Sequence, residues 1–306
     1  MSAKQPHVVL GAGQIGSKVA QLLLAEGHEV VLCRRSTQPP PFRGLSITAV
    51  DLRNATEVAR LTANAAAVYH CASPAYHRWH EELIPLTRGI AEGIRKSHAH
   101  LVVIDNLYMY GETAHLDETS PIAPVSRKGR LRAEAAAILL DAGAAIGRAA
   151  EFFGPDTPMT VFGDAFWSRI LAGKSAQVFG DPDQPHSYSF SPDVARSLVA
   201  LGTRPGSNGV WMLPTLPAES TRSVIARFAA ALGRNVAIQT VPTAMLRVMG
   251  LFSPMLRELA EMTYQWKQPF VLHSDNFQRE FFIDPTPWSD AVAQTVMWAR
   301  SQTNRR

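Results

Sequence analysis

The chain has 306 residues, of which 46% are hydrophobic and 18% charged, with a net charge of +4. That balance excludes a disordered or fibrous chain. The basic residues are scattered, with no run of five or more, which excludes a nucleic-acid groove. No apolar stretch reaches the roughly 18 residues of a membrane span and no signal-peptide pattern opens the chain, so a cytoplasmic protein without membrane contact is expected.

Strand-like and helix-like segments alternate through the first half. "HVVLG" is followed by a helical pattern over 14–26, then "EVVLC", a third strand with Asp51 and Leu52 at its end, a helix over 54–62, and "AAVYHCA". A long helical pattern over 79–97 leads to "HLVVID", a helix over 128–141 and "AAIGRA". Strands that are apolar on both faces and alternate with helices predict an α/β fold of Rossmann type, a doubly wound parallel sheet covered on both sides. Gln38–Gly44, with Pro39, Pro40 and Pro41, reads as a stiff polar loop between the second and third strands. Cys33 and Cys71 lie in apolar runs outside any CxxC pair, so reduced core thiols are expected.

Beyond about Phe152 the rhythm breaks, although 192–202 and 289–301 still read as amphipathic helices. The expected organisation is a dinucleotide-binding domain over 1–151 and a smaller substrate lobe over 152–306. Part of the second half, about 188–213, returns to the first domain. Met245–Phe282 is dense in Met, Phe, Tyr and Trp, most of which are expected to form the core of the lobe, with the remainder suiting a flat or apolar substrate or a homodimer interface.

Gly11, Gly13 and Gly16 form GxGxxG between the first strand and the first helix. Gly11 makes the tight turn, Gly13 lets the backbone approach a pyrophosphate, and Gly16 permits close helix–strand packing, while the helix start offers free N–H groups to phosphate. Gln14 and Ile15 complete that loop, and Ala72 follows the fourth strand on the same sheet edge. An NAD site places a carboxylate at the end of the second strand, about twenty residues on; here Arg34 and Arg35 stand there. Guanidinium groups can clamp a ribose 2′-phosphate that a carboxylate would repel, so NADP(H) is favoured over NAD(H). Asp51 and Leu52 fall where an adenine edge lies, and Asp51 reads equally well as a carboxylate at a helix N-terminus.

"GAGQIG", "VIDNLYMYGE", "IAPVSRKGRLRAEAA", "GRAAEFFGPDT" and "SYSFSPDVARSLVAL" together resemble the short-chain dehydrogenase/reductase superfamily, in its NAD-dependent epimerase/dehydratase-like branch. The resemblance spans nearly the whole chain and implies an enzyme. In such families a Ser or Thr, a Tyr and a Lys four residues later move the proton. Matching the motifs puts Asn106, Lys128 and Arg132 at those positions, so the usual set is absent. The shortened glycine loop also points to atypical members. Glu151 falls where relatives often carry an Asn beside a sugar-nucleotide phosphate, and His186 where they often carry an Arg. A carboxylate facing a diphosphate costs Coulomb energy, which disfavours a sugar nucleotide.

The Lys128-to-Arg132 spacing resembles the Lys-x-x-x-Arg of isoflavone-reductase-like proteins, which implies an NADPH-dependent reductase with Lys128 as general acid/base and Arg132 charged beside the cofactor. A lysine amine, ordinarily near about 10.4, serves that task when burial brings it to about 7–8; exposed, it is only an anion clamp or a solvated helix start. Asn106 could hold a substrate oxygen, and Tyr108 and Tyr110 are the other phenolic candidates. His70, His77 and His80 lie in "HCASPAYHRWHE", where packing, capping or a substrate contact from His77 is expected; HxxH is not HExxH, and no metal site is expected. The leading expectation is thus an NADP(H)-dependent oxidoreductase acting on a carbonyl, imine or conjugated double bond of a small molecule, aromatic ones included. A sugar-nucleotide epimerase/dehydratase and a non-catalytic NADP(H) sensor are the alternatives.

Overall fold

A computed structural model describes residues 5–35, 45–204 and 206–303. The elements that position the site are β1 (His7–Leu10), α1 (Gly16–Ala25), β2 (Val30–Arg34), β3 (Ser46–Ala49), α2 (Ala55–Thr62), β4 (Ala67–His70), α3 (Trp79–Ser97), β5 (Leu101–Asp105) and α4 (Arg127–Asp141). Strands β1 and β4 are buried along their whole length, the pattern that a sheet covered on both faces demands. Asn54 caps α2, its side chain accepting from the N–H groups of Thr56 and Glu57.

The chain divides into two compact units. The first comprises the described residues of 1–109, 127–148 and 194–211; the second comprises those of 110–126, 149–193 and 212–306. This differs from the expected division: 110–126 and 149–151, read from the sequence as part of the first domain, belong to the second unit, and the segment that returns to the first unit is 194–211 rather than about 188–213. The sequence offers no boundary at 110–126 because that segment is an irregular insertion between β5 and α4, without periodicity of its own.

A seven-stranded sheet runs in the order Gly209–Met212, Ala145–Arg148, β5, β4, β1, β2, β3. From Ala145–Arg148 to β3 every neighbouring pair is parallel. Strand order reverses between β1 and β4, and ligands of such sheets lie outside the carboxyl ends of the strands at that switch point. One face is packed by Val8, Leu10, Val68, Leu101, Val103 and Ile146 against Ile90, Ile94, Ala136 and Leu139 of α3 and α4. The proline-containing loop at Gln38–Gly44 lies outside the described residues.

The second unit is built of short strand pairs, among them Glu151–Phe153 with Tyr188–Phe190 and Ala176–Phe179 with Ile238–Val241, both parallel. Its aromatic core gathers Phe153, Phe162, Phe166, Trp167, Phe228 and Trp288. These residues lie outside Met245–Phe282, the segment expected to supply the core. That segment buries Met262, Tyr264, Trp266, Phe270 and Phe277 but leaves Val248, Leu251, Phe252 and Phe282 exposed. Composition reports how many apolar side chains a segment has, not which way each one faces. Among the described residues no helix is long and apolar enough to cross a membrane.

Candidate cofactor and proton-transfer site

The glycine loop joins β1 to α1 with the geometry its sequence requires. Gly11 has φ +105°, and a Cβ built there would lie 2.6 Å from the backbone of Ala72. At Gly16 a Cβ would meet the Gly11 carbonyl oxygen at 1.9 Å, so helix and turn touch without room for a methyl group. Gly13 is the opposite case: its Cβ direction has no protein atom within 4 Å and opens to solvent. The start of α1 has neither a side-chain cap nor an acidic residue in its first turn. A turn closed underneath, open above Gly13 and backed by uncapped helix N–H groups fits the diphosphate of a dinucleotide.

Arg34 ends β2 half-buried and Arg35 follows it exposed. Asp51 is exposed and engaged locally: its carboxylate accepts from the Arg53 backbone N–H at 3.0 Å and from the guanidinium at 2.9 and 2.8 Å. These hydrogen bonds, with the Arg35 charge as a smaller contribution, hold the Asp51 carboxyl below the ordinary carboxylate range. Asp51 lies three residues ahead of Asn54, the residue that caps α2. Leu52 beside it is buried, and Ala72 is half-buried against the glycine turn.

Lys128, in the first turn of α4, is 1% exposed. Its Nζ donates to the Tyr76 carbonyl oxygen at 2.5 Å and lies 3.8 Å from the centroid of the Tyr76 ring and 4.7 Å from that of Trp79. Arg132, one turn on, also lays its guanidinium over Trp79, 4.2 Å from the ring centroid. Trp79 is itself fixed by its indole N–H, which donates to the Pro74 carbonyl at 3.2 Å. Lys128 and Arg132 therefore share a helix face, as their spacing predicts, and are not two solvated residues opening a helix.

Arg132 Nη1 also lies 3.4 Å from Oδ1 of Asp105, a buried carboxylate that closes β5. Asn106 follows. Its side-chain oxygen accepts the Tyr108 backbone N–H at 3.1 Å. Tyr108 is half-buried with its ring 6.1 Å from Trp79, whereas Tyr110 belongs to the second unit and is buried. Lys128, Arg132 and Tyr108 are thus brought together around Trp79, with Asn106 hydrogen-bonded to the Tyr108 backbone. Sequence reasoning overlooked Tyr76, Trp79, Asp105 and Arg148 here. A signal existed for the last two, a charged residue in each of the apolar strand runs "HLVVID" and "AAIGRA".

His70 ends β4 and is buried; burial, with the Arg132 charge as the smaller cause, lowers its pKa to about 3 and keeps it neutral. His77 and His80 are exposed. Burial pushes the Cys33 and Cys71 thiols up to about 12, so both are inert near neutral pH.

In the second unit, His186 is enclosed by aromatic rings, stacked 5.6 Å from Trp266 and 5.5 Å from Phe270, and burial lowers its pKa to about 4. A neutral, ring-packed imidazole is no stand-in for an arginine. Glu151 is half-buried with its carboxyl enclosed; burial raises its pKa to about 7, opposed by the Val161 backbone N–H. In the folded chain its proton is retained well above the pH at which an unfolded glutamate loses it. That group therefore contributes stability in full below about pH 4.5, which fades as the pH rises to about 7, by at most about 1.4 kcal/mol per pH unit. Urea denaturation at pH 5 and pH 7.5 should show wild type gaining on Glu151→Gln as the solution is acidified; a pH-independent gap contradicts an elevated Glu151.

The fold and glycine cradle define a dinucleotide-binding protein of the Rossmann class. The chain belongs to the NAD dependent epimerase/dehydratase family, which residues 7–211 match. It is accordingly an oxidoreductase-type enzyme. Its fold is similar to that of UDP-glucuronic acid 4-epimerase from Bacillus cereus in complex with UDP-glucuronic acid and NAD, at 20% identity and TM-score 0.77, over 97% of this chain and 99% of that one. It is also similar to dTDP-glucose 4,6-dehydratase from Bacillus anthracis in complex with NAD, at 16% identity and TM-score 0.78, over 98% of each chain. A third similar structure is the enzyme WbmH of Bordetella bronchiseptica with NAD⁺, at 18% identity and TM-score 0.75, over 97% of this chain and 98% of that one. No curated protein matches by sequence.

Proposed function

We propose that the chain transfers hydride between a nicotinamide dinucleotide and an alcohol or carbonyl carbon of a small molecule. Lys128 exchanges the accompanying proton at Nζ and Asn106 donates its amide N–H to the substrate oxygen. The observation that carries this is the complete burial of Lys128 at the family's acid/base position, in the same unit as the open glycine cradle. Bound there, a nicotinamide ring supplies hydride acceptance and donation. Gly11, Gly13 and Gly16 with the start of α1 hold the diphosphate, and Arg34 and Arg35 face the adenine ribose. Lys128 accepts a hydroxyl proton as the free amine and returns one as the ammonium ion. The Tyr76 carbonyl and the two ring faces hold Nζ in place.

A nucleotide-linked sugar is the leading substrate class. Two of the similar proteins are an epimerase and a dehydratase named for such sugars. The repulsion that disfavoured a diphosphate is weakened too, because burial raises the Glu151 pKa to about 7, where half of the carboxyl is still protonated. The reductase reading, with a carbonyl, imine or conjugated double bond as acceptor, keeps support from the Lys128–Arg132 pair and the two arginines after β2. The test is a panel of UDP-glucose, UDP-glucuronate and dTDP-glucose with NAD⁺, and of ketones, enones and imines with NADPH, followed at 340 nm and by product analysis. Turnover in either arm supports hydride transfer; tight dinucleotide binding with turnover in neither overturns it in favour of a sensor.

Arg34 and Arg35 carry a separate prediction. Fluorescence titration should show NADPH bound at least about tenfold more tightly than NADH, a difference of about 1.4 kcal/mol, and the Arg34→Ala/Arg35→Ala double variant should erase the difference. Equal affinities in wild type exclude a phosphate clamp at this strand end.

A further inference from the structure

The carboxyl ends of β4, β5 and Ala145–Arg148 place three polar groups on the face that is otherwise the apolar seam with α3 and α4. His70 stands in register with Val103, and Asp105 with Arg148. Asp105 and Arg148 are each 4% exposed at the side chain, with Arg148 Nε 3.5 Å from Asp105 Oδ2. On the Oδ1 side Asp105 accepts the Asn106 backbone N–H at 2.9 Å and faces Arg132 Nη1 at 3.4 Å. Two residues earlier the same strand face carries Val103, packed in the core.

Burying a carboxylate there is expensive, and an apolar side chain would satisfy the packing at lower cost. What an apolar residue could not do is fix two groups at once. We propose that Asp105 is the positioning residue of this site: it holds the Arg132 guanidinium over Trp79 and sets the Asn106 backbone from which the amide donor projects. Arg132 occupies the helical position that relatives give to lysine, so the role rests on the hydride-transfer reading above. The holding geometry itself does not depend on that reading.

Two measurements separate the two layers. The chain has six tryptophans, so the Trp79 indole N–H signal is assigned in ¹H–¹⁵N spectra by its loss in Trp79→Phe. Asp105→Asn keeps the shape and the acceptor for Asn106 but removes the charge that retains Arg132. It should move the Trp79 signal as far as Arg132→Gln does, and the double variant should move it no further. If Asp105→Asn leaves that signal in place while Arg132→Gln shifts it, Asp105 does not position Arg132. With any substrate the panel turns over, Asp105→Asn should lower kcat about tenfold or more, with KM and dinucleotide affinity within about threefold of wild type. The losses of Asp105→Asn and Arg132→Gln should be non-additive in the double variant. Independent, multiplying losses, or an unchanged kcat in Asp105→Asn, overturn the positioning role. Absence of dinucleotide binding in wild type removes only the hydride-transfer reading.

Discussion

Replacing Lys128 by methionine should lower turnover by about a hundredfold or more while dinucleotide affinity stays within about threefold of wild type. General acid–base catalysis by a positioned side chain contributes about 10²–10⁴ in rate, and methionine has no exchangeable proton to offer. The substitution is suited to the position, since a fully enclosed site accepts an unbranched apolar chain without an orphaned charge. It does release the Tyr76 carbonyl, which Nζ now engages, so circular dichroism and thermal unfolding must accompany the kinetics. A folded Lys128→Met variant with near wild-type turnover assigns the proton to Tyr108 or to water, and Lys128 is then the anchor of the segment after β4. Lys128→Arg tests the same point from the other side. It keeps a cation against the two rings but is protonated at all working pH values, so activity should not return.

Gly16→Ala should be the most damaging single-methyl change in the cofactor loop. The added Cβ would sit 1.9 Å from the Gly11 carbonyl oxygen, a backbone atom that cannot swing aside as a side-chain end could. Either α1 moves away from the turn or the turn opens, and both displace the N–H groups aimed at the diphosphate. Expected are a stability loss of about 2 kcal/mol or more in urea denaturation and dinucleotide binding weakened by about a hundredfold. Gly13→Ala is the informative control. The position has open space in front of it, so the protein should fold with unchanged stability and lose affinity only where a ligand approaches the backbone. If Gly13→Ala binds NAD⁺ and NADP⁺ as wild type does, the open space above Gly13 is not the diphosphate site.

These expectations differ in where they could be read. The strand, glycine loop and helix at the beginning of the chain were legible because most of the constraint is local: Gly11 turns the chain with a positive φ, Gly16 is forced by contact with Gly11 five residues earlier, and the apolar strand runs require helices on both faces. The helix over 79–97 was placed at its observed ends for the same reason of uninterrupted periodicity. The position of Lys128 on α4, one turn ahead of Arg132, was likewise open to a reading of spacing alone.

Other features had no local signature. Whether Lys128 is solvated or enclosed depends on Tyr76 and Trp79, which are about fifty residues away in sequence and arrive only when α3 packs beside α4. The ionic tie from Asp105 to Arg132 and Arg148 forms because parallel pairing brings two strand ends level and a helix supplies the third partner. Glu151 looked like a carboxylate hostile to a diphosphate until its enclosure showed that burial sustains its protonated form. Sequence by itself determined the βαβ rhythm and the phosphate-loop glycines, since each follows from neighbours along the chain. Tertiary structure alone decided which charges are buried, what they touch and which protonation states they favour, because desolvation and Coulomb energy are set by groups that the chain brings together only on folding.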